Sequence, residues 1–368
     1  MTAQLELFLV AVPGLEHILA EEARAAGFTV TATIAGGVTL KGGWSDVWRA
    51  NLVLRGPTRV LARIGAFPVF HLAQLDKRAR KFPWSETLRA DASLRVEVTT
   101  RKSKIYHAGA ARQRIEKAIQ DTLGIKVTDA APLTLKARID DNVCTFSIDT
   151  SGEPLHKRGF KQAVGKAPMR ETMAALFLRA CGYDGTETVL DPMCGSGTFV
   201  IEAAEIAAGL APGRARSFAF EELASFDRAA WRDLKSVSAP HDTNLRFYGS
   251  DRDAGAISNS TQNAKAAGVS KLIKFAHHAI SDLTRPDGPP GLVIFNPPYG
   301  GRIGNTKLLY ALHRALGETL RNRFQGWRVG LITNENGLAR ATGLPWKPLG
   351  PPVAHGGLKV RLFQTKPL

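Results

Sequence analysis

Four stretches carry residues whose types could bind or transform a ligand. "LDPMCGSGT" (190–198) sets Asp191 ahead of two glycines, Gly195 and Gly197; "GSDRD" puts Asp251 at a predicted strand end; "ISDL" holds Asp282; and "VIFNPPYGGR" (293–302) breaks from a greasy run into Asn296, Pro297, Pro298 and Tyr299. The glycines let the backbone turn tightly and approach a ligand closely. A carboxylate at Asp251 can accept hydrogen bonds from ribose hydroxyls, and Asp282 can receive an exocyclic amine such as that of adenine. Each acid alone reads as a helix cap or turn residue. Asp191, Asp251 and Asp282 at the ends of three successive strands together describe a pocket for a nucleoside. In the fourth stretch two consecutive prolines cannot donate ladder hydrogen bonds, so the strand over Val293, Ile294 and Phe295 must stop and leave Asn296 at its carboxyl edge.

The glycine pair is weak evidence by itself, because nicotinamide-dependent enzymes use a similar turn. Val200 stands where the third glycine of a dinucleotide fingerprint belongs, and the next strand-end acid lies more than fifty residues on, instead of about twenty. No Lys-Ser or Lys-Thr follows the glycines, which excludes a P-loop.

The elements that must position these residues alternate from about residue 165 onward. "TVLDP" reads as a strand, "GTFVIEAAEIAAG" as a helix, "RFYGSD" as a strand, "DAGAISNSTQNAKAAG" as a helix, and "LIKFAHHAI" and "GLVIF" as strands. A helix through "TKLLYALHRALGETLRNRF" and the strand "RVGLITN" follow, and the tail "GGLKVRLFQTK" closes the sheet as a hairpin. This is the pattern of a doubly wound, mostly parallel α/β sheet, whose ligands gather at the carboxyl ends of its first strands. Upstream, the first 65 residues read strand (5–10), helix (14–26), two short strands (29–34 and 38–40) and a helix from Ser45, the order of a small α/β sandwich. Residues 66 to 150 continue with the strand "LRVEVTT", a helix with Ile115, Ala118, Ile119 and Leu123 on one face, and a hairpin around Asp140, Asp141 and Asn142.

Composition sets the outer bounds. The chain has 368 residues, 44% of them hydrophobic and 22% charged, as expected of an ordinary globular protein of two or three domains. No stretch reaches the apolar length of a membrane span and the start lacks a basic leader, so a cytosolic, cytoplasmic protein is expected. Cys144, Cys181 and Cys194 form no CxxC pair, which argues against a disulfide framework and a cysteine-rich zinc site. His277 and His278 are adjacent on a strand and point to opposite faces, so they share no metal, and no metal is expected elsewhere. The net charge is +16, and the excess is local: residues 1 to 76 hold six basic and six acidic side chains, residues 77 to 126 thirteen and five. A concentration of that kind suits a polyanionic partner, although a solvated basic face has the same composition.

With "LHKRGF", "APMRET", "LDPMCGSGTFVIEAA", "NPPYGGRIG" and "SKIYH" taken together, nearly the whole chain resembles the THUMP-domain family of S-adenosylmethionine-dependent methyltransferases that make N2-methylguanosine in RNA, and among them the bacterial 23S ribosomal RNA guanine-N2 methyltransferases. The resemblance implies a ferredoxin-like domain over residues 1–65, a THUMP RNA-binding domain over 66–155 and a Rossmann-like methyltransferase domain over 156–368. It implies S-adenosyl-L-methionine as cofactor, held by Asp191, Pro192, Cys194, Gly195, Gly197, Thr198, Asp251, Arg252, Asp282 and Asn296. Asn296, Pro297, Pro298 and Tyr299 become the catalytic motif. A purine's exocyclic amine is a poor nucleophile, its lone pair delocalised into the ring. Asn296 Oδ1 and the Pro297 carbonyl, each accepting one amine hydrogen, draw the nitrogen towards a tetrahedral attacking geometry, while Tyr299 stacks on a base taken out of its helix. Cys194 is expected to pack the loop and not to act as a nucleophile.

The motif specifies an amine acceptor and not the base, since Asn-Pro-Pro-Tyr also occurs in adenine-N6 DNA methyltransferases. The amino-terminal third discriminates: Lys102, Lys104, Arg112 and Arg114 resemble a THUMP surface for structured RNA, and Lys157 and Arg158 can contact phosphate or pack. The expected partner is therefore RNA, 23S ribosomal RNA or its assembly intermediate ahead of transfer RNA. DNA adenine methylation and a non-catalytic RNA-binding assembly factor are the competing readings.

Overall fold

The computed structural model describes residues 4–161, 169–237, 240–298 and 306–368. In chain order the elements are β1 (Leu5–Val10), α1 (Glu16–Ala25), β2 (Thr29–Ile34), β3 (Gly37–Gly42), α2 (Trp44–Val53), β4 (Arg59–Pro68), α3 (Leu72–Arg80), β5 (Ser93–Arg101), α4 (Ala108–Leu123), β6 (Lys126–Val127), β7 (Leu133–Asp140) and β8 (Val143–Asp149). They continue with α5 (Glu171–Ala180), β9 (Val189–Asp191), α6 (Thr198–Ala207), α7 (Arg228–Val237), β10 (Phe247–Asp251), α8 (Ala254–Ala267), β11 (Ile273–His277), β12 (Leu292–Phe295), α9 (Thr306–Arg323), β13 (Arg328–Thr333), α10 (Asn336–Ala341), β14 (Val353–His355) and β15 (Leu358–Gln364). Two compact units result: residues 1–11, 23–155 and 216–237 form one, and residues 12–22, 156–215 and 238–368 the other. No described helix is long and apolar enough to cross a membrane.

In the first unit the described residues build an eight-stranded sheet in the order β2-β3-β1-β4-β8-β7-β5-β6. The boundary expected at residue 65 falls inside β4, which pairs with β1 along one edge and β8 along the other, so the two amino-terminal α+β modules share one sheet. The hairpin between β7 and β8 turns on Asp141 and Asn142, both at positive φ (48° and 59°), as a tight two-residue hairpin requires. Asn142 is also a junction. Its carbonyl accepts from Val69 N (2.7 Å), its side-chain oxygen from Lys104 N (2.8 Å), and its own N–H donates to Ser103 Oγ (3.0 Å). On α4, Ala111, Ile115, Ala118 and Ile119 are buried, at the spacing of one helical face, and Gly124 ends the helix at φ 73°. Residues 216–237 cluster with this unit, where Phe218, Phe220 and Trp231 join Trp48 in an aromatic group; the sequence pattern had placed that segment wholly in the carboxyl-terminal domain.

In the second unit the described strands run β11-β10-β9-β12-β13-β15-β14, the first five parallel, β15 antiparallel to β13 and β14 antiparallel to β15, with the tail forming the expected hairpin. Every residue of β12 is buried, and Val293 and Phe295 join Leu190, Leu316, Leu320, Phe324, Trp327 and Leu331 in one core. Leu309, Leu316 and Leu320 lie on one stripe of α9, and His313 occupies the same stripe with Nδ1 2.8 Å from the Leu309 carbonyl. α5, which the sequence reading passed over, packs against α6.

Gly317, in the interior of α9, lies so near α10 that a Cβ there would collide with the Thr342 backbone oxygen. An exposed helical Gly→Ala change stabilises by roughly 0.5–1 kcal/mol. Gly317→Ala is expected to do the opposite, costing about 1–3 kcal/mol through overpacking. Chemical denaturation reads the sign, and a stabilised variant would contradict this packing.

Candidate active site

The order of strands reverses at β9, which lies between β10 and β12, and a parallel sheet opens its ligand crevice at such a switch point. The loop leaving β9 is held against the carboxyl end of β10. Cys194 N donates to the Ser250 carbonyl (2.9 Å) and Gly195 N to Asp251 Oδ2 (3.0 Å). The other oxygen of Asp251 accepts from Asp253 N (3.0 Å), and Asp253 caps α8 by accepting from Gly255 N (2.8 Å). One carboxylate thus ties the loop to the start of the next helix. Gly195 (φ 53°) and Gly197 (φ 81°) both need the left-handed region, but for different surroundings. A Cβ on Gly195 would meet open space, whereas one on Gly197 would press on Ser260 Cβ (3.0 Å) and Ile201 Cδ1 (3.1 Å). Gly195 therefore lines an accessible concavity, and Gly197 serves close packing.

Asp191 is buried and accepts from Met193 N (3.0 Å). Burial pushes its carboxyl pKa well above the usual range, and the charge on Asp251 pushes the same way. A cation or a donor-rich ligand arriving there would favour its ionised form. Cys194 is buried as well, its thiol pKa raised by burial and by both acids, so it is a poor nucleophile that packs under Gly249. Pro192 is buried behind the loop; Arg252 is exposed, its carbonyl 3.0 Å from His277 Nε2; Asp282 is exposed in a short helical turn after β11, with Oδ1 accepting from Ser281 Oγ (3.2 Å). A cavity of about 310 Å³ lies along β10 and β11, lined by Leu190, Tyr248, Ser250, Phe275, His278 and Leu283. Its size is in the range of small-molecule pockets. Among the described residues no His, Cys, Asp and Glu cluster could hold a metal ion.

Thr198 opens α6, and its hydroxyl accepts from Lys161 Nζ (2.9 Å). Lys161 also donates to the Met169 carbonyl (2.8 Å) and pairs with Glu171 (3.2 Å). Desolvation lowers its pKa, and Glu171 opposes that. Further along α6, Glu202 and Glu205 are both buried. Arg158 pairs with Glu202 (3.2 Å), and Arg214 pairs with Glu205 while its guanidinium also reaches the Ala267 carbonyl (2.7 Å) and lies 4.2 Å from the centre of the Phe160 ring. Asn263 Nδ2 donates to the Ser196 carbonyl (3.1 Å). The helix whose first turn abuts the glycine loop is therefore clamped by buried charges that sequence reasoning did not assign. Lysine and arginine spacing gives no sign of burial, because burial is decided by which helices meet.

That arrangement corrects one expectation. Arg158 is only 4% exposed, and its guanidinium faces Glu202, so it is an interior ion-pair residue and not a phosphate contact. Lys157 beside it is exposed. In the first unit Lys102, Lys104 and Arg114 are exposed, and Lys104 Nζ lies 5.5 Å from the centre of the Phe70 ring. Arg112 is half-buried and engaged by Glu116 (2.6 Å) and Asp129 (2.5 Å), which leaves it less charge to offer a partner.

Asn296 follows β12 at the same carboxyl edge as Asp191. Among the described residues its buried Oδ1 has no hydrogen-bond partner, an unusual state for a polar atom inside a protein. Pro297 is buried and Pro298 half-buried behind it; Tyr299 lies outside the described residues. Asn334, just past β13, shows the same state: its buried Oδ1 has no partner among the described residues.

Comparison with known proteins agrees with this geometry. A family model described as RMKL-like, methyltransferase domain, matches residues 158–345; an RlmL ferredoxin-like domain model matches 6–61 and a THUMP domain model 71–149. A solved structure from Listeria monocytogenes, named a predicted N6-adenine-specific DNA methylase, is 30% identical over 100% of this chain and 97% of its own, with a TM-score of 0.89. SMU.472, solved in complex with SAH, is 28% identical over 100% of this chain and 99% of its own, TM-score 0.88. TrmN from Thermus thermophilus shares the fold at 21% identity over 99% of this chain and all of its own, TM-score 0.75.

Removing Arg158 leaves Glu202 buried without that partner. Arg158→Met is expected to cost about 3–5 kcal/mol, and Arg158→Met with Glu202→Met to recover much of it. Thermal melts of the two variants read this. An unchanged melt with weakened binding to RNA would return Arg158 to the phosphate-contacting set.

Proposed function

The chain belongs to the RMKL-like methyltransferase family, and we propose that its substrate is RNA and its methyl acceptor the exocyclic N2 amine of a guanosine, with 23S ribosomal RNA ahead of transfer RNA. The cofactor is S-adenosyl-L-methionine, whose demethylated form SMU.472 carries as SAH. When bound, it supplies a methyl group already activated on a sulfonium centre.

The residues at the edge of β9 fit such a donor. Open space above Gly195 admits a ligand against the loop backbone, and buried Asp191 suits an ammonium group. Asp251, exposed enough to reach ligand, suits vicinal hydroxyls, and Asp282 an exocyclic amine. Pro192, Cys194, Gly197 and Thr198 shape the loop from behind, and Arg252 flanks it.

The acceptor side rests on one observation, the buried carboxamide oxygen of Asn296, which has no hydrogen-bond partner among the described residues. A substrate amine donating to it removes that deficit only when the amine is in place, which is how binding free energy is directed to positioning. The Pro297 carbonyl takes the second amine hydrogen; proline at 297 brings no N–H of its own to compete, and its φ is fixed. Both contacts strengthen as the nitrogen becomes tetrahedral, so they favour the transition state over the ground state. Tyr299 would stack on the extruded base.

RNA is favoured over DNA by the THUMP domain, on which Lys102, Lys104 and Arg114 are exposed among the local basic excess. A basic platform suits duplex RNA, which is recognised by shape and backbone. The Asn-Pro-Pro-Tyr motif itself would serve adenine N6 equally well, so substrate choice rests with the amino-terminal domains and the acceptor pocket.

Asn296→Ala tests the catalytic assignment. Transfer of label from S-adenosylmethionine to RNA is expected to fall by about 100- to 1,000-fold, with the cofactor still bound in equilibrium dialysis. Retained transfer would remove Asn296 from the mechanism.

A further inference from the structure

Asn296 is not alone at the carboxyl edge of the sheet. β12 and β13 are parallel neighbours, with Ile294 beside Gly330 and Phe295 beside Leu331. Extending that register sets Asn296 beside Ile332. Asn334 follows the last residue of β13, Thr333, as Asn296 follows β12, so the two asparagines stand at the carboxyl ends of neighbouring parallel strands. The Asn334 backbone is restrained on both sides: Glu335 N donates to Thr333 Oγ1 (3.2 Å), and α10 begins at Asn336. Both carboxamide oxygens are buried and, among the described residues, without a hydrogen-bond partner, so neighbouring strand ends offer two open acceptors.

We infer that Asn334 is the residue that selects the base, accepting the N1–H of guanine while Asn296 accepts a hydrogen of the neighbouring N2 amine. This deepens the guanine-N2 reading and rests on it. The edge of the base and the edge of the site must be complementary. A buried acceptor without a partner is matched only by a donor, and two adjacent acceptors by two adjacent donors. Guanine carries N1–H next to its N2 amine. Adenine places the bare N1 lone pair next to its N6 amine, and cytosine the bare N3 lone pair next to its N4 amine; either would set acceptor against acceptor at Asn334. Of the bases with an exocyclic amine, guanine alone fits both oxygens. A site that depends on a hydrogen bond to its substrate rejects an analogue lacking that group far more strongly than an apolar pocket rejects a change of size. Asn334 is thus a specificity residue acting on the base, and it leaves the cofactor side of the site untouched.

The test uses the full-length enzyme and a 23S RNA fragment that it methylates, made with guanosine or with 2-aminopurine riboside at the acceptor position. 2-Aminopurine keeps the amine and replaces N1–H with a lone pair. The wild type is expected to prefer guanosine by about 10- to 100-fold in kcat/KM. Asn334→Leu should lose most of that ratio through poorer use of guanosine, and Asn334→Asp, which retains an acceptor oxygen, should keep it. Cofactor affinity should be unchanged in both. Equal use of the two substrates by the wild type, which needs no variant to fold, would overturn the inference, as would an Asn334→Leu ratio equal to that of the wild type. If no RNA acquires N2-methylguanosine, the guanine-N2 reading itself falls; if N2-methylguanosine forms and the ratio does not respond to Asn334, only the role of Asn334 falls.

Discussion

A buried carboxamide oxygen with no hydrogen-bond partner among the described residues is the constraint around which the catalytic unit is organised. Leaving such a group unsatisfied costs a protein about 1–3 kcal/mol. At Asn296 the cost is sustained by what lies behind it. β12 is buried along its whole length, packed through Val293 and Phe295 into the main core and paired on both sides, so the end of the strand cannot shift to find a donor. The prolines that follow stop the ladder and contribute no N–H. The rigidity of an apolar strand is what keeps a polar atom waiting.

The cofactor side reaches the same result through charge. Asp251 accepts from the glycine loop and from the turn into α8, so loop, strand and helix hold one geometry. Behind the loop, α6 carries Glu202 and Glu205 in the interior, each met by an arginine, and Thr198 at its first turn is met by Lys161. Buried ion pairs of this kind add little net stability over apolar packing, but they fix one arrangement because any slip strands a charge. Asp191 is the exception among these acids: among the described residues no cation pairs with it, and burial raises its pKa.

Much of this was legible in the residues. Val293 to Phe295 ended by two prolines could only be a strand stopping at Asn296, and Asp141-Asn142 between alternating strands could only be a tight turn. The mostly parallel sheet of the carboxyl-terminal part followed from strand and helix in alternation, though its strand order did not. What escaped notice is tertiary. Residues 216–237 follow helix-rich chain of the carboxyl-terminal domain, yet their aromatic side chains pack with Trp48, because a cluster of rings is completed by whichever segment can reach it. For Arg158 the residues left phosphate contact and packing both open; only the approach of α6 buries it. Asn334 gave no signal, since a lone asparagine after a strand is an ordinary turn residue until its neighbour across the sheet is known.

We propose that the amine met by Asn296 belongs to guanine in RNA. Incubating the enzyme and labelled S-adenosylmethionine with unmodified 23S RNA, transfer RNA and duplex DNA, then digesting each and identifying the labelled nucleoside, tests it directly. N2-methylguanosine from RNA, with 23S RNA the best acceptor, is the predicted result. N6-methyladenine from DNA would contradict it.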